Sequence, residues 1–267
     1  MSDELARAAE LISGAGALLV CAGAGMGVDS GLPDFRGGEG FWRAYPPYAG
    51  LGLRFEELAD PRHFASDPEL AWGFYGHRLE LYRKTVPHRG FGLLLEWGLA
   101  KEGGVRVFTS NVDGQFQAAG FPQVAEAHGS IHHLQCLAGC SREIWPAADI
   151  TVEIDEETMR ARPPLPSCPR CGSLARPNIL MFGDFDWVPD RSQEQLDELT
   201  TWRRAHRDTV VVEIGAGQAV PTVRRYSELA SAATGALIRI NPREPRIRHG
   251  RGVSIAAGAL ETLVKLV

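Results

Sequence analysis

The 267-residue chain lacks the features that mark membrane, secreted and nucleic-acid-binding proteins. No apolar run reaches the roughly 18 residues that a membrane-spanning helix needs. The first four residues, Met1–Glu4, are acidic rather than basic as in a signal peptide, which predicts a cytoplasmic protein. Lys and Arg total 28 against 33 Asp and Glu, a net charge of −5, and this deficit of positive charge argues against a nucleic-acid partner. We therefore expect neither a membrane nor a nucleic acid among its partners.

Cysteine is also scarce, and its five copies are an odd number in a chain long enough to bury a core without disulfides. Cys21 lies in an apolar run and is predicted to be a core residue. The other four form two close pairs with spacings x3 and x2, and they are Cys136, Cys140, Cys168 and Cys171. Two such pairs on tight turns complete the tetrahedron that zinc prefers, which predicts one structural zinc without an open position for substrate. His132 and His133 are close enough in sequence to be alternative ligands.

Short apolar runs alternate with stretches of helical periodicity. The predicted strands are 17–22, 105–109, 209–214 and 236–240. The predicted helices are 4–13, 68–83, 90–100, 192–207, 221–233 and 257–266. This alternation predicts an α/β fold with a parallel sheet. Ser192 and Gln195 have the spacing of a capping box for one helix. The Cys- and Pro-rich stretch 134–175 interrupts the pattern and is interpreted as an inserted metal-stabilised module, and the irregular region 38–66 as part of a second lobe.

Glycine pairs follow two of the predicted strands, at Gly23/Gly25 and Gly215/Gly217. Glycines let backbone N–H groups approach an anion, and parallel sheets bind ligands at the carboxyl ends of their strands. The two pairs indicate a nucleotide site, although each pair is also compatible with a structural tight turn.

Several motifs around these glycines and cysteines occur in the order found in the sirtuins, the NAD-dependent protein deacylases. The segments that resemble sirtuin motifs are Gly23–Gly37, Thr109–Gly114, Glu126–Ser130, Arg176–Asp184, Gly215–Pro221 and Ile240–Asn241. The resemblance covers about residues 10–260. It implies a Rossmann-like large domain with a smaller inserted zinc-binding domain. The large domain would comprise 1–43, 84–133 and 176–267, and the small one 44–83 and 134–175.

The resemblance also implies roles for individual residues in the use of NAD as co-substrate. The implied NAD-binding residues are Gly23, Ala24, Gly25, Asp34, Phe35, Arg36, Ser110, Asn111, Asp113, Gly215, Ala216, Gly217 and Asn241. His128 would be the general base, with Asn111 as a second catalytic residue. Phe182 and Gly183 would bind an acylated-lysine protein or peptide.

Some positions depart from the sirtuin pattern. Ser110 replaces a glutamine, Gly27 replaces a serine, and Ala216 and Gly217 replace threonine and serine. Gln115 or Gln117 could supply the missing amide. The departures fit a deacylase, and they equally fit an ADP-ribosyltransferase or NAD hydrolase. A non-catalytic NAD-binding protein is the third reading.

Tyr75 and Arg78 form a Tyr-x-x-Arg pattern on the predicted helix 68–83. Residues three apart on a helix share a face, where a phenol and a guanidinium can bind one carboxylate. The pattern resembles that of sirtuins that remove succinyl and malonyl groups. The alternative is an amphipathic helix with an aromatic core face and a solvated arginine.

Overall fold

The computed structural model describes residues 3–33 and 55–266. Its helices are α1 (Asp3–Gly14), α2 (Phe55–Leu58), α3 (His63–Ser66), α4 (Pro68–Lys84), α5 (Arg89–Leu99), α6 (Gln115–Ala118), α7 (Asp190–Ala205), α8 (Thr222–Ser231) and α9 (Ala259–Lys265). Its strands are β1 (Ala17–Ala22), β2 (Val105–Thr109), β3 (Val124–Glu126), β4 (Gly129–Cys136), β5 (Ile144–Pro146), β6 (Ile154–Asp155), β7 (Arg160–Ala161), β8 (Ala175–Ile179), β9 (Thr209–Ile214), β10 (Leu237–Ile240) and β11 (Val253–Ile255). Within these two ranges, no helix is both long and apolar enough to cross a membrane.

Six parallel strands form the main sheet, in the order β11-β10-β9-β1-β2-β3. The central strand β1 is buried over all six residues because β2 and β9 pair with it on either side and helices cover both faces. The predicted bounds of β1, β2 and β9 are confirmed, while the fourth predicted strand begins at Leu237 rather than Ala236. The α/β class predicted from the sequence is therefore correct.

Each face of this sheet has its own apolar core. On one face, side chains of α1, α5 and α9 pack against the strands, for example Ile12, Leu94 and Leu263. On the other face, Trp202 of α7 and Val223 of α8 join a core that includes Cys21, which is fully buried as predicted. The sheet is thus packed between helices on both faces, and this packing fixes the positions of the loops that follow its strands.

A second, smaller layer stands beside the main sheet. It contains an antiparallel sheet in the order β5-β4-β8, the two-stranded β6–β7 ribbon and the long helix α4. In its apolar core, Trp72 and Phe74 of α4 belong to the same cluster of buried side chains as Leu134 of β4. Ile131 and Ile179 belong to the same core although they lie outside the predicted small-domain ranges. The domain boundaries stay a prediction.

The capping box predicted at Ser192 is wrong, because α7 begins at Asp190 after Pro189. The Ser192 hydroxyl instead donates to the carbonyl oxygen of Glu126 at 2.7 Å, and the amide oxygen of Gln195 accepts from its N–H at 3.1 Å. Glu126 ends β3, the edge strand of the sheet, and within residues 3–33 and 55–266 no further strand pairs with its outer backbone groups. The two side chains therefore satisfy a sheet edge rather than a helix terminus.

Candidate active site

A cleft of about 620 Å³ lies where the loops after β1, β2 and β9 meet the smaller layer. It brings together side chains from opposite ends of the chain, as expected for the carboxyl edge of a parallel sheet. The predicted site residues that line it are Gly23, Ala24, Tyr75, Arg78, Ser110, Asn111, Asp113, His128, Phe182, Ala216 and Gly217. The predicted residues Asp34, Phe35 and Arg36 lie outside the described residues.

Two of the predicted glycines contact each other rather than the cleft. The N–H of Gly25 donates to the carbonyl oxygen of Gly215 at 3.1 Å. A Cβ atom on Gly215 would lie 2.5 Å from the carbonyl carbon of Gly25, and Gly215 has a φ of +64°. Neither residue is among those that line the cleft, whereas Gly23 and Gly217 are. Gly25 and Gly215 therefore let the two loops approach each other, and their neighbours face the cleft.

Hydrogen bonds to the β1–β2 edge fix the orientation of Asn111. The Thr109 hydroxyl donates to the carbonyl oxygen of Ala22 at 2.8 Å and accepts from the N–H of Asn111 at 3.0 Å. The Asn111 amide nitrogen donates to the carbonyl oxygen of Gly23 at 3.0 Å. The side chain is thus held in place before any ligand binds.

Asp113 is a buried carboxyl group on the same wall, with 8% of its surface exposed. Burial raises its pKa to about 6, and the nearby Glu126 carboxylate adds to the shift. The N–H of Gln115, which donates to Asp113 Oδ1 at 2.9 Å, and the Arg78 guanidinium oppose it. A buried carboxyl group that titrates near neutral pH in a cleft is typical of a functional site.

Neither glutamine suggested as a replacement for the missing amide lines the cleft. Gln115 is buried, and its amide nitrogen donates to the carbonyl oxygen of Thr85 at 3.1 Å. Gln117 is exposed on α6. That suggestion was wrong, because the first turn of α6 directs Gln115 into the protein core. Ser110 is the side chain that lines the cleft at this position.

His128 lies on the short connection between β3 and β4. Its carbonyl oxygen accepts from the N–H of Leu180 at 2.9 Å, which ties the connection to the residue after β8. Its ring Nε2 is 3.2 Å from the hydroxyl oxygen of Thr222, the first residue of α8. Burial lowers the pKa of His128, so the ring is neutral near pH 7 and one nitrogen can accept a proton. Thr222, which is 94 residues away along the chain, was not predicted from the sequence.

Arg78 is buried among aromatic rings instead of being solvated. It is 5% exposed, and its guanidinium carbon lies 5.2–5.7 Å from the ring centroids of Phe55, Phe74, Tyr75 and Tyr82. Its Nε and one terminal nitrogen donate to the Tyr82 hydroxyl at 3.1 and 2.9 Å. Burial raises the pKa of Tyr75 to about 12, which keeps its phenol protonated and able to donate. Both Tyr75 and Arg78 line the cleft, so the solvated-arginine alternative is wrong.

Phe182, Gly183 and Asn241 differ in their relation to the cleft. Phe182 lines it, and its N–H donates to the carbonyl oxygen of Ala59 at 3.2 Å. Gly183 is exposed in the following turn and does not line the cleft. Asn241 is fully buried, and its amide nitrogen donates to the carbonyl oxygen of Ala216 at 2.8 Å. Asn241 therefore supports the cleft wall from behind.

The four paired cysteines come together at one point beside β4 and β8. Their sulfur atoms all lie within 4.8 Å of one another, with 3.6 Å between Cys136 and Cys171 and 3.7 Å between Cys140 and Cys168. Four sulfurs about 2.3 Å from a tetrahedral zinc are about 3.8 Å apart, so the cluster fits one zinc ion. His132 is not part of it, because its Nε2 is 2.9 Å from the carbonyl oxygen of Asp113.

The comparison with protein families defines the class of protein. The Sir2 family model matches residues 23–221, which include the two glycine loops, His128 and all four paired cysteines. The chain belongs to the Sir2 family, the sirtuins.

The relatives are similar over nearly their whole length. The chain is 31% identical to the NAD-dependent protein deacylase 1 of Archaeoglobus fulgidus, over 94% of this chain and 91% of the relative. It is 32% identical to the NAD-dependent protein deacylase of Thermococcus kodakarensis, over 98% of this chain and 94% of the relative. The crystal structure of a Sir2 homologue in complex with NAD superposes with a TM-score of 0.75 at 29% identity, covering 100% of this chain and 92% of that one.

Proposed function

We propose that this protein is an NAD-dependent protein-lysine deacylase that releases nicotinamide and O-acyl-ADP-ribose. The observation that carries the proposal is a neutral histidine, His128, on the wall of the cleft that Asn111 and Asp113 also line. The glycine loops and the buried Arg78 also line this cleft. The Archaeoglobus and Thermococcus relatives are named NAD-dependent protein deacylases, which supports the proposal.

The proposal assigns residues of the cleft to each part of the reaction. Bound NAD supplies an electrophilic sugar carbon and nicotinamide as the leaving group. Asn111 and Asp113 would hold the nicotinamide carboxamide and ribose, and the backbone around Gly23 and Gly217 would approach the diphosphate. His128 would take a proton from a ribose hydroxyl at its unprotonated nitrogen, a role that suits a neutral imidazole at pH 7.

The acyl group would lie toward Tyr75 and Arg78. A buried guanidinium next to a protonated phenol offers a carboxylate charge-assisted hydrogen bonds in a water-poor environment. We infer that this enzyme prefers acyl chains that end in a carboxylate, such as succinyl and malonyl. The lysine stem of the peptide would pass Phe182.

Steady-state rates on succinyl-lysine and acetyl-lysine forms of one peptide test this preference. Arg78→Met is expected to lower kcat/KM for the succinyl peptide about 100-fold and for the acetyl peptide much less, because only the first has a charge to pair. Arg204→Met, on the exposed side of α7, is the matched control. Equal losses on both peptides in a folded Arg78→Met protein would contradict the preference.

A second candidate function is ADP-ribosyl transfer or NAD hydrolysis. Ser110 favours it, because this short side chain stands in the cleft where an amide was expected, and Gln115 does not replace that amide. Incubation of the protein with NAD and acylated peptide, followed by mass spectrometry, separates the candidates. O-acyl-ADP-ribose supports the deacylase. ADP-ribose or modified protein formed without peptide supports the second candidate, and binding of NAD without turnover indicates a non-catalytic protein.

The remaining parts of the proposal concern partners and architecture. The substrate is an acylated-lysine protein or peptide in the cytoplasm, and we expect no nucleic-acid partner for a chain with a net charge of −5. A zinc ion held by Cys136, Cys140, Cys168 and Cys171 would stabilise the small domain and take no part in the chemistry. The large domain would bind NAD, and the cleft between the two domains would bind the peptide.

A further inference from the structure

We propose that Thr222 is a positioning residue for His128, holding the imidazole in one orientation for proton transfer. The proposal rests on the deacylase function argued above. Thr222 is the only hydrogen-bond partner that residues 3–33 and 55–266 offer to the His128 ring, and its Oγ1 lies 3.2 Å from Nε2.

The threonine is well suited to hold a ring still. A β-branched side chain is restricted at χ1, so its hydroxyl has few possible positions once its backbone is fixed. The backbone is fixed because the next two residues of α8, Val223 and Arg224, are buried. The Arg224 guanidinium donates to the carbonyl oxygens of Ala216 at 3.2 Å and Glu244 at 2.6 Å. Thr222 is thus anchored to the loops of Ala216 and Glu244, which line the cleft.

His128 needs such a support, because its own segment is short. Only Ala127 and His128 lie between β3 and β4. The hydrogen bond from the N–H of Leu180 to the His128 carbonyl oxygen fixes the backbone of His128 rather than its ring. A neutral imidazole has one N–H and one lone pair, and the Thr222 hydroxyl can bond Nε2 in either tautomer, as donor to the lone pair or as acceptor from the N–H. The bond therefore fixes the directions in which the two ring nitrogens point. Without the Thr222 hydroxyl, the ring could rotate about χ2, and only part of the population would have the reactive nitrogen toward the sugar.

This role acts on a single step. In the proposed reaction, nicotinamide leaves before His128 takes the ribose proton. A misaligned His128 therefore slows product formation, whereas nicotinamide exchange and NAD binding need not change.

The experiment compares Thr222→Val, which keeps the shape and removes the hydroxyl, with Thr222→Ser, which keeps the hydroxyl. Thr201→Val, an exposed threonine of α7 whose hydroxyl donates to Asp197, is the matched control. We expect Thr222→Val to lower kcat for deacylation about tenfold, to leave KM for NAD within about twofold, and to retain nicotinamide exchange. Thr222→Ser should recover most of the rate, and Thr201→Val should match the wild type.

A measurement without substrate completes the test. Carbon-13 relaxation NMR of the His128 ring, assigned by its loss in His128→Ala, should report a rigid ring in wild type and in Thr222→Ser and a mobile ring in Thr222→Val. Unchanged ring mobility in Thr222→Val, or equal losses of exchange and deacylation, would overturn the proposal. Because the NMR result needs no turnover, it tests Thr222 even if the deacylase function is wrong.

Discussion

Replacing Asp113 by asparagine should stabilise the protein at neutral pH and at the same time impair it as an enzyme. The carboxyl group is buried on the cleft wall, and burial raises its pKa from 3.8 to about 6. Asparagine has nearly the same shape and keeps an oxygen for the N–H of Gln115, which is 2.9 Å from Asp113 Oδ1. The substitution therefore removes mainly the charge.

The size of the effect follows from the shift in pKa. An acid whose pKa is higher in the folded state than in the unfolded state destabilises the fold as the pH rises, and the loss is complete above the folded pKa. A shift from 3.8 to about 6 corresponds to about 3 kcal/mol above pH 7 and about 1 kcal/mol at pH 4.5. Asp113→Asn should thus gain up to about 3 kcal/mol over wild type at pH 7.5 and about 2 kcal/mol less at pH 4.5.

Urea unfolding of both proteins between pH 4.5 and 7.5 measures this difference, with the exposed Asp197→Asn as control for the loss of one carboxylate. Turnover with NAD and acylated peptide should fall at least about tenfold, because a charged hydrogen-bonding group of the proposed site is lost. A gain in stability that does not depend on pH, or a loss of stability at pH 7.5, would refute the assignment of Asp113 as a buried carboxyl group held in place for function.

Two further predictions concern the supports of the site. Gly215→Ala should lower the free energy of unfolding by roughly 3 kcal/mol, because the added Cβ would clash with Gly25 at a residue whose φ is positive. Gly183→Ala is the control, since Gly183 has a φ of +66° and open space around it, and it should cost only about 1 kcal/mol. Equal costs in urea unfolding would argue against the contact between the two loops. Metal analysis should find one zinc per chain in the wild type and in the control Cys21→Ala, but none in Cys140→Ser. The melting temperature of Cys140→Ser should fall, because the metal stabilises the fold. A wild type purified without zinc would contradict the metal site.

The sheet could be predicted well because its central strands are buried on both faces. Strand β1 is a continuous apolar run, β2 and β9 are mostly apolar, and glycine or a polar residue follows each of them, so their bounds are visible in the sequence. The outer strands β3 and β11 were not predicted, because each has only three residues and pairs on one side.

The positions of the site residues were harder to predict than their identities. The motifs indicated His128 and Asn111, and both line the cleft. The spacing of Ser192 and Gln195 matched a capping box, yet their side chains bind Glu126, 66 and 69 residues away along the chain. No local pattern encodes a hydrogen bond between such distant residues, and the contact of Thr222 with His128 escaped prediction for the same reason.

The most direct test of the account is a crystal structure of the protein with NAD and an acylated-lysine peptide. The account predicts that the dinucleotide occupies the cleft between the glycine loops and Asn111, with a hydroxyl of the nicotinamide ribose about 3 Å from a ring nitrogen of His128. A dinucleotide bound outside this cleft, or a His128 ring that does not contact the sugar, would contradict it.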